Sequence, residues 1–183
     1  MTKRSINPKE VQKIIQEKIL ANIPRQEILN ELSEQYYDKN SISMMIASTV
    51  DPQLKKKYKS LNNILLVILV FIIISKIIEG IVLMSSLTSF MIPFAFVIPT
   101  LLLLLIFQIS KFIGTIYSFV GLMAIAGIFQ SISYFPEVGF FVIINIVLCL
   151  IVSILSFYLK KKLFPNLGLW GLKKDKEGNI TLG

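Results

Sequence analysis

The stretch from Ile64 to Met84, ILLVILVFIIISKIIEGIVLM, decides how the rest of the chain is read. A helix rises about 1.5 Å per residue and the hydrocarbon layer of a bilayer is about 30 Å thick, so about 20 apolar residues suffice to cross it. This stretch is long enough, and only Lys76 and Glu79 carry charge within it. It predicts a membrane-spanning helix that holds a lysine and a glutamate three residues apart.

Three further segments share this character: Met91 to Ser110, Phe112 to Tyr134 and Val138 to Tyr158. Across residues 61–159 the charged side chains are Lys76, Glu79, Lys111 and Glu137, and with 54% hydrophobic residues in 183 the chain is too apolar for a soluble domain of this size. The second and third segments are separated by a turn marked by Lys111 and Gly114, because one continuous helix through both would exceed any bilayer. The expected fold class is an all-α membrane protein: a four-transmembrane-helix bundle with a small N-terminal cytoplasmic three-helix region and a short C-terminal cytoplasmic tail. The corresponding boundaries are 1–60 for the head and its basic juxtamembrane helix, 61–159 for the four spans and 160–183 for the tail.

Orientation follows from the lysines, because positive charge beside a span is retained on the cytoplasmic side. Lys55, Lys56, Lys57 and Lys59 precede the first span, Lys111 follows the second, and Lys160, Lys161 and Lys162 follow the fourth. The alternate loops, SSLTSF and FPEVG, contain neither Lys nor Arg. Both termini are therefore expected in the cytoplasm, and the lysine clusters are expected to contact anionic lipid. The opening residues MTKRSINPKEVQK lack the apolar core of a signal peptide, so the first span is expected to target the chain. Ile- and Lys-rich usage is compatible with a bacterial inner (plasma) membrane.

Within residues 1–60, Asn7, Pro8 and Glu10 make a helix start: a cap, a proline at the first helical position and an acid three residues after the cap. Val11, Ile14, Ile15, Ile19 and Leu20 give that helix one apolar face. A second helix is read from Pro24 to about Tyr36, with Ile28, Leu29, Leu32 and Tyr36 inward. Ser41 is expected to cap a third, with Ile42, Met45 and Ile46 inward, and Asp51 to cap a basic helix running on into the first span. The order of these helices suggests a helix-turn-helix regulator. However, SISMMIAS in the recognition position lacks Arg, Lys, Asn and Gln for base edges or phosphates, which disfavours nucleic acid as a partner. A docking or oligomerisation module, engaging a protein partner or a second copy through residues 1–50, accounts for the head more simply.

In the tail, Leu167, Leu169, Trp170 and Leu172 follow the lysines and suit a segment lying at the bilayer interface, and Glu177, Gly178 and Asn179 suit the turn of a small hairpin. Asn179, Ile180 and Thr181 match a glycosylation acceptor, a chance match on the cytoplasmic side.

Chemistry, where present, is expected inside the spans, since buried polar groups there face the bundle interior. Counting from the outer ends at about 1.5 Å per residue, Lys76, Glu79, Gln130, Ser131 and Asn145 fall in the outer half of the bundle and form a candidate polar layer. Lys76 and Glu79 are able to pair across one turn, and Asn145, Cys149 and Ser153 share one stripe of the fourth span. Pro99 frees a carbonyl one turn earlier, which Asn145 could satisfy. Gly114, Ser118 and Gly121 form a small-residue stripe suited to close helix packing, from which Ala124 and Gly127 drift.

The layer has two readings. In the first it is interhelical glue within an accessory or scaffold protein; in the second it binds or conducts a small polar solute in a transporter or channel subunit. An intramembrane enzyme would need Lys76 to activate a serine, but Ser75 points elsewhere on the helix, so no catalytic residue is assigned. Histidine is absent and Cys149 is the single cysteine, so no metal or cofactor set is read and no internal disulfide can form.

Overall fold

In the computed structural model, residues 7–36, 38–87, 96–133, 135–169, 171–174, 180 and 182 are described. They form helices α1 (Pro8–Leu20), α2 (Arg25–Gln35), α3 (Lys39–Ser48), α4 (Pro52–Leu87), α5 (Val97–Ser110), α6 (Gly114–Ser133) and α7 (Phe135–Leu163). The chain divides into two compact units, one of Lys59–Tyr158 and one of Met1–Tyr58 with Leu159–Gly183.

Parts of α4, α6 and α7 are long and apolar enough to cross a membrane: Pro52–Ile78, whose start lies in the second of these units, Gly114–Ile132, and Val142–Leu163, whose end lies in that second unit. The protein is thus a helical membrane protein by the length and composition of these helices. The segment expected as a second span appears as a shorter apolar helix, Pro99–Ser110 within α5, while residues 91–95 lie outside those described. Pro99 falls in the first turn of α5, where a missing N–H has no intrahelical partner to lose. The carbonyl it was expected to free belongs to residue 95, outside the described residues.

On α4 the pattern is the inverse of a soluble helix. Ile64, Val67, Phe71, Ile74 and Ile78 stand exposed, while Asn62, Leu65, Leu69, Ile72 and Ile73 are buried. Hydrocarbon solvates the outer stripe as readily as other side chains would, so helix association rests on packing and internal hydrogen bonds.

The unit of Met1–Tyr58 and Leu159–Gly183 follows the soluble rule. Val11, Ile15, Ile28, Leu29, Leu32, Ile42 and Ile46 are buried. Ile14 and Met45, expected inward, are only half-buried, and Leu20 is exposed at the helix end. Two caps differ from expectation. Asn7 occupies the N-cap of α1 but makes no side-chain cap bond. At α3 it is Asp38 that caps, accepting from Ser41 N–H at 3.0 Å, so the helix begins two residues before Ser41 and takes Lys39 and Asn40 into its first turn. Asp51 caps α4 as expected, accepting from Gln53 N–H at 2.7 Å.

The C-terminal segment, read from sequence as a tail of its own, groups with the N-terminal helices. Leu159, Leu163, Phe164, Leu167 and Leu182 are buried in that unit. Of the tail residues expected to face a bilayer interface, Leu167 is turned into the protein, Leu169 is exposed and Leu172 half-buried. An antiparallel bridge joins Lys174 to Ile180, and the proposed turn residues between them lie outside the described ones.

Candidate functional site

The turn between α5 and α6 positions a buried, mutually bonded polar cluster in the membrane unit. Phe112 N–H donates to Ile109 O at 2.9 Å and Ile113 N–H to Gln108 O at 3.2 Å, a Schellman motif ending α5. Its left-handed residue is Phe112, at φ 59°, rather than the glycine such a position favours. Gly114, expected to mark this turn, instead opens α6. The Phe112 side chain is packed in place at this strained position, only 8% exposed.

The carbonyl of Ile109 receives more than Phe112. Asn62 of α4 donates to it through Nδ2 at 3.5 Å, and Tyr117 of α6 donates its hydroxyl to Asn62 Oδ1 at 2.6 Å. The Tyr117 oxygen lies 3.4 Å from the same carbonyl. Asn62 and Tyr117 are essentially sealed from solvent. One amide therefore ties α4 to the end of α5 and to α6, satisfying groups that would each be costly left bare in an apolar interior.

Close packing of α6 on α7 forms the second part. A Cβ on Gly121 would stand 2.9 Å from the Phe157 ring, and one on Gly127 would stand 3.2 Å from Cys149 Sγ. Gly127 thus remains on the contact face from which the helical projection let it drift. Gly114, Ser118 and Gly121 are all buried, as are Asn145, Cys149 and Ser153. Four residues beyond the Gly127–Cys149 contact along each antiparallel helix come Ser131 and Asn145, both buried and level with one another.

The expected polar layer is gathered only partly. Lys76 is half-buried, continues the inward stripe of Asn62, Leu65, Leu69 and Ile72, and is engaged rather than free. Glu79 lies in α4, but its side chain is outside those described. Gln130, expected inward, is exposed: one step before the inward Ser131, it is turned about 100° around the helix. Among the described residues, no cluster of His, Cys, Asp and Glu is able to hold a metal.

The lysine clusters also divide. Lys55, Lys56, Lys57 and Lys59 are exposed, with Lys57 5.7 Å from the Tyr58 ring, and Lys161 and Lys162 are exposed as well. Lys160 is buried and donates to Gly168 O. Lys111 lies 4.0 Å over the Phe107 ring, a cation held at the end of an apolar helix.

In the head, the corresponding fastening is Arg25. Its guanidinium donates to Ile46 O and, at 2.9 Å, to Thr49 O, adding a charged donor to carbonyls at the end of α3. Burial lowers the Arg25 pKa and Asp51 partly restores it. Lys18 and Glu31 add a 2.6 Å ion pair between α1 and α2.

Asn62, Tyr117 and Arg25 were not singled out from the sequence. The available signal was an amide and a phenol in apolar segments close to the turn at Lys111, but matching them requires knowing which faces meet. Comparison with protein-family models, with curated proteins and with solved structures finds no match.

Proposed function

We propose that the protein is a non-enzymatic accessory or scaffold protein of a cell membrane, with four spans and both termini cytoplasmic, whose head engages a protein partner or a second copy through residues 1–50. The positive-inside distribution of Lys55–Lys59, Lys111 and Lys160–Lys162 supports that orientation, and the apolar α5 supports counting residues 91–110 as the remaining span. A bacterial plasma membrane is the matching location.

The observation that carries this reading is the use made of buried polarity. Asn62, Tyr117 and the Ile109 carbonyl are spent on one another, and Gln130 points away from the layer that a solute would need. Such groups fasten helices. A transporter or channel subunit is the second reading, favoured by one feature: Lys76 lies on the inward stripe of α4, and Ser131 and Asn145 are level on the α6–α7 pair. The helix-turn-helix reading gains Lys39 and Asn40 at the exposed start of α3, and salt-dependent DNA binding by the full chain would bring it forward.

Purification from native membranes separates the first two. The full chain is expected to carry a stoichiometric companion, whether another protein or a second copy, that the chain lacking residues 1–50 does not. The Lys76→Leu/Glu79→Leu variant is expected to retain it. Assembly that survives loss of the head, with solute flux abolished by the double leucine variant, would transfer the function to the bundle.

A further inference from the structure

We propose that the C-terminal end of α7 and the turn after it bind a phosphate-bearing anion, with Lys160, Asn166 and Lys173 as its donors. The backbone brings the three together. Lys173 N–H donates to Asn166 O at 3.0 Å, Gly168 N–H to Gly171 O at 2.7 Å, and Leu167 bridges Leu172, so Asn166, Leu167 and Gly168 lie against Gly171, Leu172 and Lys173. Lys160, within the last turn of α7, reaches the Gly168 carbonyl of that same turn.

Among the described residues, donors exceed acceptors here. Lys160 is 6% exposed, and its ammonium has three N–H groups, of which Gly168 O takes one. Asn166 is 4% exposed, and its Nδ2 has no hydrogen-bond partner among the described residues. The charges of Lys160 and Lys173 repel one another. A buried ammonium, an orphaned amide and a second ammonium call for an occupant that is negative and rich in acceptors. Phosphate oxygens meet that need from several directions at once, and lysine serves phosphate as a point charge. The site takes in the last turn of an apolar span and the residues after it, at the level where lipid phosphates lie in the reading above. A lipid head group and free phosphate present the same chemistry.

The test uses the full chain in zwitterionic detergent, with thermal unfolding followed through its single tryptophan, Trp170. Inorganic phosphate is one probe and phosphatidylglycerol in mixed micelles the other, each against sodium chloride at equal ionic strength. Saturable stabilisation beyond that of chloride is expected, since a ligand selective for the folded state raises the midpoint. A response to phosphatidylglycerol alone assigns the site to a head group, and one to inorganic phosphate assigns it to the free anion. Asn166→Leu removes an unpaired buried Nδ2 and Lys173→Met alters an exposed residue, so both are expected to fold without ligand. Each is expected to weaken the response about tenfold, and Lys161→Met/Lys162→Met, which alters only exposed charges, less than about threefold. No response beyond chloride, unaltered affinity in Asn166→Leu and Lys173→Met, or an equal loss in the Lys161/Lys162 variant overturns the proposal.

Discussion

The two units solve opposite problems with the same residue types. In the unit holding α1 to α3, apolar side chains are inside and polar ones secure helix ends: Asp38 and Asp51 cap, and Arg25 closes the end of α3. In the unit of α4 to α7, Phe71, Phe107, Phe119 and Phe129 face outward, while Asn62, Tyr117, Ser131 and Asn145 are inside. The difference is one of medium. Water rewards burial of apolar surface, whereas hydrocarbon is indifferent to it and penalises bare polar groups, so polarity fastens the outside of one unit and the inside of the other.

The comparison is most easily broken at Gly121. Replacing it by isoleucine drives atoms into the Phe157 ring and is expected to cost about 3 kcal/mol, measured by unfolding in mixed micelles. Adding Phe157→Ala is expected to recover much of this loss; no recovery would mean that Gly121 matters for its backbone and not for the close approach. Next comes Arg25→Met, expected to destabilise the head by about 2 kcal/mol because carbonyls of α3 lose a charged donor. If deletion of this cation leaves the head unchanged, its polar groups do not fasten it.

A smaller effect tests the interior of the membrane unit. Asn62→Leu and Tyr117→Phe should couple, the double variant losing about 1 kcal/mol less than the two single losses added, as expected for one shared hydrogen bond. Strict additivity would dissolve the cluster into unrelated contacts. The smallest effect is the pH response of α3. Hydrogen bonds from the Ser41 side chain and then its backbone hold the Asp38 carboxyl below its usual value of 3.8. Because the folded value is depressed, the stabilisation is complete above pH 3.8 and fades as pH falls through the folded value. Helical signal from the head should therefore decline in acid, and Asp38→Asn should flatten that decline while the Asn62–Tyr117 coupling stays constant.

Much of the head was legible because its signals are local. Pro8, Asp51 and the spacing of Ile28, Leu29 and Leu32 act within a turn or two, and the observed helices follow them. Asp38 was passed over for Ser41 because both are good caps three residues apart, and only the fold of the preceding chain decides between them. In the candidate site, Ser131 and Asn145 were readable as inward polar groups, but Gln130 was not readable as outward, since depth says nothing about which way a side chain faces. Phe112 in a left-handed turn runs against its own preference and has no local signal at all.

By itself the sequence determined the apolar lengths, the lysine placement and the start of most helices, because hydrophobic transfer and capping depend on near neighbours along the chain. Tertiary structure alone decided that Asn62 meets Tyr117, that Gly121 receives Phe157, and that Lys160 turns inward to the Gly168 carbonyl while Lys161 and Lys162 stay out. Those outcomes depend on which helix faces meet. A hydrogen bond between residues 55 positions apart is set by the packing of whole helices, and no local pattern carries it.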